Sequence, residues 1–319
     1  MNPRSLLVLV LLAVTAGCGG DDGPLPVGAG GWRHAEVKGL ANGSGVTVLD
    51  DTLFVCSGEG ARTILAVDVG TLAHGARVVP REIRVTLRED QGVMGHDDLL
   101  AQRGFTLGDL WGADVDLQGI ASQAPGFLFL ADRAHRVVFW GRAEREVGGR
   151  FSTLRIEYGF VPPGAKRTNT SAADYRDHGP GLSGLCGVRD PKTEDLYVVE
   201  RAHGGSGNPD HDFRVLLLDR FGSLGKSGFF VVRVPGEGPP GIEGTSWHDG
   251  RYLFVRGDGR GAIAPVVDPG LMRRSDLGRG TPGPDVEGAG PWRGMAHAPD
   301  GTLYLVSAGT PGYVAWRSP

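Results

Sequence analysis

The hydrophobic positions of this chain fall into one pattern that recurs along its length. A polar residue and a glycine precede an apolar position, a tight turn follows, and a short apolar stretch ends on another polar residue. The first copy runs Ser44-Gly45-Val46, Asp50-Asp51, Leu53-Phe54-Val55-Cys56 and Ser57. The second runs Gln118-Gly119-Ile120, Pro125-Gly126, Leu128-Phe129-Leu130-Ala131 and Asp132. The third has Ser183-Gly184-Leu185, Asp190-Pro191, Leu196-Tyr197-Val198-Val199 and Glu200. The fourth has Glu243-Gly244-Thr245, Asp249-Gly250, Tyr252-Leu253-Phe254-Val255 and Arg256, with Thr245 at the otherwise apolar position. The fifth has Arg293-Gly294-Met295, Asp300-Gly301, Leu303-Tyr304-Leu305-Val306 and Ser307. A third apolar stretch follows each copy, at 64–69, 137–140, 215–218, 263–267 and 313–316. Outer strands are expected at 83–87, 154–158 and 229–234, with a weaker signal within 271–277.

Short apolar stretches bounded by Gly, Asp and Pro read as strands. No single repeat buries its own apolar faces, so neighbours must stack to build a core. The expected fold is all-β: a β-propeller of five four-stranded blades, forming one domain over residues 32–319. The fifth repeat runs out of chain, and residues 32–37 are placed to supply its missing strand. That closure removes exposed sheet edges. A sixth, degenerate blade within 92–116 is the rival count, but this segment lacks an alternating strand pair. A sandwich or barrel does not predict the same punctuation five times.

Strand alternation puts the start of each first strand and the end of each second strand at one end of the ring. Ser44, Gln118, Ser183, Glu243 and Arg293 are expected around the channel mouth, with Ser57, Asp132, Glu200, Arg256 and Ser307 around them. Glycine beside the first set lets backbones approach near the axis. This rim suits a small polar or anionic ligand: Arg256 and Arg293 supply positive charge, and Asp132, Glu200 and Glu243 orient it. Glu243 and Arg293 stand in consecutive repeats and are also placed to satisfy each other.

The second and third repeats share a further signature, Asp132-Arg133-Ala134-His135 and Glu200-Arg201-Ala202-His203. Acid, guanidinium and imidazole so close together suit anion binding or proton transfer, which makes His135 and His203 candidate acid–base groups. Duplication of one blade whose acid and arginine tie a turn explains the spacing equally well. Asp114 and Asp116, and Asp210 and Asp212 in Asn208-Pro209-Asp210-His211-Asp212, are oxygen donors of the kind calcium takes, or solvated loop acids. His96-Asp97-Asp98 has no identifiable partner. Gly244-Thr245-Ser246-Trp247-His248 is not a nucleophile elbow, which needs glycine two places after the serine on a strand-to-helix turn.

Composition changes the picture in three places. The 54 glycines and 21 prolines fit a fold of many tight turns. A formal charge of −4 leaves no basic excess, so nucleic acid is excluded as a partner. At the N-terminus, Arg4 precedes the apolar run 6–14 and then Thr15-Ala16-Gly17-Cys18. The run is shorter than the roughly 20 residues a membrane helix needs. It reads as a secretory signal over 1–17, with 18–31 as a flexible tether. Cys56 and Cys186 lie in apolar strand patterns of non-adjacent repeats, which favours buried free thiols over a disulfide.

Two resemblances add to this reading. Small residues followed by Cys18 resemble the bacterial lipoprotein box, with Thr15 where leucine is usual. This implies acylation of Cys18 and attachment to the cell envelope, facing the periplasm or cell surface; ordinary cleavage with unmodified Cys18 is the alternative. Leu182-Ser183-Gly184-Leu185, Asp190-Pro191-Lys192-Thr193, Leu196-Tyr197-Val198-Val199-Glu200 and Ile242-Glu243-Gly244 resemble the SdiA-regulated family, and similar phrases occur in esterase-like-phytase propellers. These resemblances imply an extracytoplasmic propeller and, through the phytases, phosphoester hydrolysis. Gluconolactonase-like propellers also open with Glu-Gly, where the glutamate ligates a divalent metal; Glu243 matches, but Arg293-Gly294 replaces their downstream Asn-Gly. Three functions stay open: a monomeric ligand-binding propeller, a phosphoester or ester hydrolase, and an envelope protein-binding platform.

Overall fold

Strands form over the short apolar stretches of the repeat, most of whose residues are buried, and left-handed residues turn the chain between them. Gly126 and Gly301, at φ of 80° and 84°, occupy the first hairpin of their sheets, and Asp50, at 54°, takes that place in the first repeat. The computed structural model describes residues 31–57, 62–94, 104–112, 115–123, 125–162, 182–186, 196–201, 212–218, 224–234, 242–248, 251–256, 263–267, 274–277 and 280–319.

After β1 (Arg33–Val37), the first sheet is built on β2 (Gly43–Leu49), β3 (Thr52–Ser57) and β4 (Thr63–Asp68). Short strands β5 (Arg77–Val78), β6 (Arg81–Glu82), β7 (Arg84–Leu87) and β8 (Val93–Met94) follow, then helix α1 (Leu107–Gly112). The second sheet holds β9 (Leu117–Gln123), β10 (Phe127–Asp132), β11 (Val137–Arg145) and β12 (Phe151–Phe160). The third holds β13 (Leu182–Cys186), β14 (Leu196–Arg201), β15 (Asp212–Leu218) and β16 (Leu224–Arg233). The fourth holds β17 (Ile242–His248), β18 (Arg251–Arg256) and β19 (Ile263–Val267), and is followed by β20 (Arg274–Asp276). The fifth holds β21 (Trp292–His297), β22 (Leu303–Ser307) and β23 (Gly312–Arg317).

The described residues are thus almost wholly β, and the sheets are arranged as in a propeller. Their first strands neighbour one another in cyclic order: β2 with β9, β9 with β13, β13 with β17, β17 with β21, and β21 with β2. β1 pairs antiparallel with β23, from Arg33↔Trp316 to Val37↔Gly312, so the N-terminal strand completes the last sheet.

Apolar clusters fill the spaces between consecutive sheets. Phe54 and Ile64 meet Leu128 and Phe139 between the first and second. Phe129 and Phe160 meet Val198 and Leu216 between the second and third. Val199 and Phe213 meet Phe254 between the third and fourth, and Val255 meets Trp292 and Leu305 between the fourth and fifth. Val46 and Val55 meet Val306 and Trp316 where the fifth sheet returns to the first. Each such fully buried large side chain contributes about 1.5–3 kcal/mol.

The outer strands differ from expectation. Residues 84–87 do not extend the first sheet, whose outermost strand is β6, paired with β4. β7 instead runs parallel to β12 of the second sheet, from Arg84↔Thr153 to Leu87↔Ile156. β20 likewise runs parallel to β16 of the third sheet, although its residues follow the fourth repeat. β5 runs parallel to β1. An outer edge offers unpaired N–H and C=O groups to any passing segment, so local pattern does not choose the sheet. Within 92–116, the described residues contribute β8, which extends the edge of β12, and α1, whose Leu107, Leu110 and Trp111 are buried in the core between the first two sheets.

Candidate functional site

One backbone device recurs at the start of every first strand. Gly43 pairs with Ser57 and Gly45 with Cys56, which leaves Ser44 as an extra residue in the ladder. The same slip leaves Gln118 between Leu117↔Asp132 and Gly119↔Ala131, and Ser183 between Leu182↔Glu200 and Gly184↔Val199. It leaves Glu243 between Ile242↔Arg256 and Gly244↔Val255, and Arg293 between Trp292↔Ser307 and Gly294↔Val306. A bulge of this kind bends the strand and re-aims one side chain. The polar residue before each repeat glycine is therefore the bulged residue, and the polar residue ending each second strand stands opposite the position before it.

The glycines explain why the bulges tolerate one another. A Cβ on Gly45 would lie 2.8 Å from the Cα of Gly119, and one on Gly294 would lie 2.8 Å from the Cα of Gly45. A Cβ on Gly244 would lie 2.1 Å from the carbonyl oxygen of Arg293. Neighbouring first strands touch backbone to backbone here, and only glycine leaves the space.

The rim side chains then divide into two kinds. Ser44 is buried and its hydroxyl donates to the Leu117 carbonyl at 2.6 Å. The Ser57 hydroxyl donates to the Ala41 carbonyl at 3.1 Å, and the buried Ser307 Oγ accepts from the Tyr313 N–H at 2.8 Å. Gln118, also buried, donates from Nε2 to Asp116 Oδ1 at 2.6 Å. Glu243 and Arg293 differ: they keep 32% and 24% side-chain exposure, and Arg293 Nε stands 3.7 Å from Glu243 Oε2.

The Asp132-Arg133-Ala134-His135 segment is a locked turn. Asp132 Oδ1 accepts from the backbone N–H groups of Asp116 at 2.9 Å and Ala134 at 3.0 Å. Its Oδ2 accepts from the His135 N–H at 3.3 Å and lies 2.5 Å from His135 Nδ1. Asp132 and His135 are both 0% exposed, so this imidazole is no surface acid or base. Arg133 lies outside the buried unit and donates from Nε to Asp116 Oδ2 at 2.7 Å. Asp116 thus has its two carboxylate oxygens engaged by Gln118 and Arg133. Among the described residues, no three His, Cys, Asp or Glu side chains converge as metal ligands would.

Cys18, Asp114, His203, Asp210 and the 96–98 acidic cluster lie outside the described residues. Ser183, Cys186, Glu200, Arg201, Asp212 and Arg256 are placed by their backbones in β13, β14, β15 and β18. Cys56 is a free, buried thiol, and burial pushes its pKa up to about 12.

Two contacts escape the candidate residues read from the sequence. Ser246 Oγ stands 2.9 Å from His297 Nδ1, with Ser246 buried. Thr47 Oγ1 donates to Ser122 Oγ at 3.0 Å. In both pairs one partner lies two places after its repeat glycine and the other three places after the next sheet's glycine. The shared register identifies these as ties between neighbouring sheets. Alignment of the repeats on their glycines carries that signal, because polar residues recur at these two offsets in consecutive repeats.

No protein-family model and no curated relative matches the chain. Among solved structures, it is similar to a glutaminyl cyclase from Myxococcus xanthus at 12% identity, over 89% of this chain and 94% of that one, with a TM-score of 0.47. It is similar to a gluconolactonase from Xanthomonas campestris at 12% identity, over 92% of this chain and 91% of that one, with a TM-score of 0.42. A streptogramin B lyase shares 11% identity over 90% of this chain and 97% of that one, with a TM-score of 0.41.

Proposed function

We propose that this chain is a five-bladed, envelope-anchored β-propeller that receives a small polar or anionic ligand at the bulged end of its ring. Arg293 contacts the ligand's negative group and Glu243 sets its orientation. The observation that carries this reading is the division of the rim. The other rim side chains described are buried, whereas Glu243 and Arg293 are charged and partly exposed on adjacent bulges. The five sheets, the cyclic contacts of their first strands and the β1–β23 pairing support the blade count. Anchoring through an acylated Cys18 rests on the N-terminal sequence and would hold the ring at the membrane by its tether. Hydrolysis through His135 is not favoured, because its ring is buried against Asp132.

The test is a melting-temperature screen of the full-length protein and Arg293→Ala against a panel of small metabolites. Stabilisation of the parent protein that vanishes in the variant is expected. Equal shifts in both proteins would remove Arg293 from the site. Fatty-acid labelling of cells expressing the chain or Cys18→Ser checks the anchor, and label retained by the serine variant refutes it.

A further inference from the structure

Among the rim side chains described, one carboxylate and one guanidinium stand side by side and partly exposed, and this constrains the chemistry of a ligand there. The separation of 3.7 Å exceeds the 2.7–3.2 Å of an N–H···O hydrogen bond, so this contact between Glu243 and Arg293 is one of charge alone. Both residues sit on bulges whose backbones are wedged together: the Gly244 Cα has no room for a Cβ against the Arg293 carbonyl. The two charges are therefore carried on adjoining strands whose backbones have little freedom to separate. Of the remaining rim side chains described, Ser44, Ser57, Gln118 and Ser307 are neutral, and Asp132 is enclosed with His135.

A plain anion approaching Arg293 brings its charge beside Glu243, and a plain cation approaching Glu243 meets Arg293. Like charges at such distances repel, and the repulsion grows as the site sheds water. A molecule carrying both signs a few ångströms apart avoids both conflicts, because it lies antiparallel to the protein pair with each end facing its opposite. Resting on the ligand-binding reading above, we infer that the ligand is a zwitterion of α-amino-acid type, its carboxylate on Arg293 and its ammonium on Glu243. Adjacent and opposite charges select a dipole over either ion alone. Arg293 then provides a planar fork for the carboxylate, and Glu243 accepts from the ammonium in a charge-assisted bond.

Calorimetric titration of the full-length protein with three matched sets tests this: α-amino acids, the same compounds without the amino group, and the same compounds without the carboxylate. The zwitterions are expected to bind at least about tenfold more tightly than either partner set, the factor that 1.4 kcal/mol supplies. Glu243→Gln should erase the preference over the carboxylates, and Arg293→Gln the preference over the amines. Glu243→Gln keeps side-chain shape and Arg293→Gln keeps a polar but shorter and uncharged side chain, and unchanged melting temperatures confirm that the ring is intact. Carboxylates that bind as tightly as the amino acids, still dependent on Arg293, would overturn the zwitterion while leaving the ligand site standing. If no set binds in an Arg293-dependent way, both fail.

Discussion

The second sheet and the junction of the fourth and fifth sheets begin from the same backbone device and use it in opposite ways. In the second sheet the bulged Gln118 turns onto Asp116, and the facing Asp132 closes on three backbone N–H groups and His135. The Gln118 amide and the Asp132 carboxylate there work for the turn. At the junction the bulged Glu243 and Arg293 stay partly exposed, on the same register and at the same end. The bulge supplies the position; the side chain and its neighbours decide whether that position stabilises the fold or meets solvent. An acid, arginine and histidine in sequence therefore mark a structural lock here, while the simpler Glu-Gly and Arg-Gly pairs mark the candidate site.

This contrast is open to attack by substitution. The largest effect is expected from Asp132→Ala, which strands buried N–H groups and His135 and should cost about 3–5 kcal/mol of stability. Denaturant unfolding measures it, and a loss below 1 kcal/mol would mean that the turn is not the lock described. Gly244→Ala comes next: its Cβ would press on the Arg293 carbonyl, and overpacking of that kind costs about 1–3 kcal/mol. The same variant should also disturb ligand binding, because it moves the strand that carries Glu243; a ligand affinity untouched by a destabilised Gly244→Ala would separate the wedge from the site.

A smaller, pH-dependent effect is expected at the closing strand. The His34 N–H donates to His74 Nδ1 at 3.2 Å, and the two rings lie 4.6 Å apart at an interplanar angle of 88°. Burial, then the charge of His74, lowers the pKa of His34 from its ordinary 6.5. As pH falls, the unfolded chain therefore takes up this proton before the folded one does. The stability concerned is present above about pH 6.5 and is lost as pH drops through the lowered folded value. Urea midpoints at pH about 7.5 and about 5 should separate less in His74→Gln than in the parent protein, since the variant lacks the like charge. Identical separations would show that His74 does not contribute. A small stability change is expected from losing the Glu243 pair in Arg293→Ala, since a partly exposed pair is worth less than about 1 kcal/mol, while ligand-induced stabilisation disappears.

Much of the fold is legible along the chain because the repeats encode it locally. The polar-glycine phrase marks the first strand, and the apolar stretch before Ser57, Asp132, Glu200, Arg256 or Ser307 marks the second. The outer strands are less legible, as β7 and β20 demonstrate. Each has an acceptable strand sequence, yet each joins a sheet other than that of the repeat it follows, because edge pairing depends on which exposed edge lies nearby. The ties Thr47–Ser122 and Ser246–His297 join residues 75 and 51 positions apart, and only the stacking of sheets makes them neighbours.

By itself, the sequence determined the all-β character, the repeat, the strand that completes the last sheet and the adjacency of Glu243 and Arg293. These follow from periodicity and order, which are properties of the chain. The tertiary structure alone decided that the residue before each glycine is bulged, that His135 is enclosed rather than offered to solvent, and that two of the rim side chains described stay partly exposed. A bulge exists only relative to a partner strand, and burial only relative to neighbours, so neither is written in the local pattern.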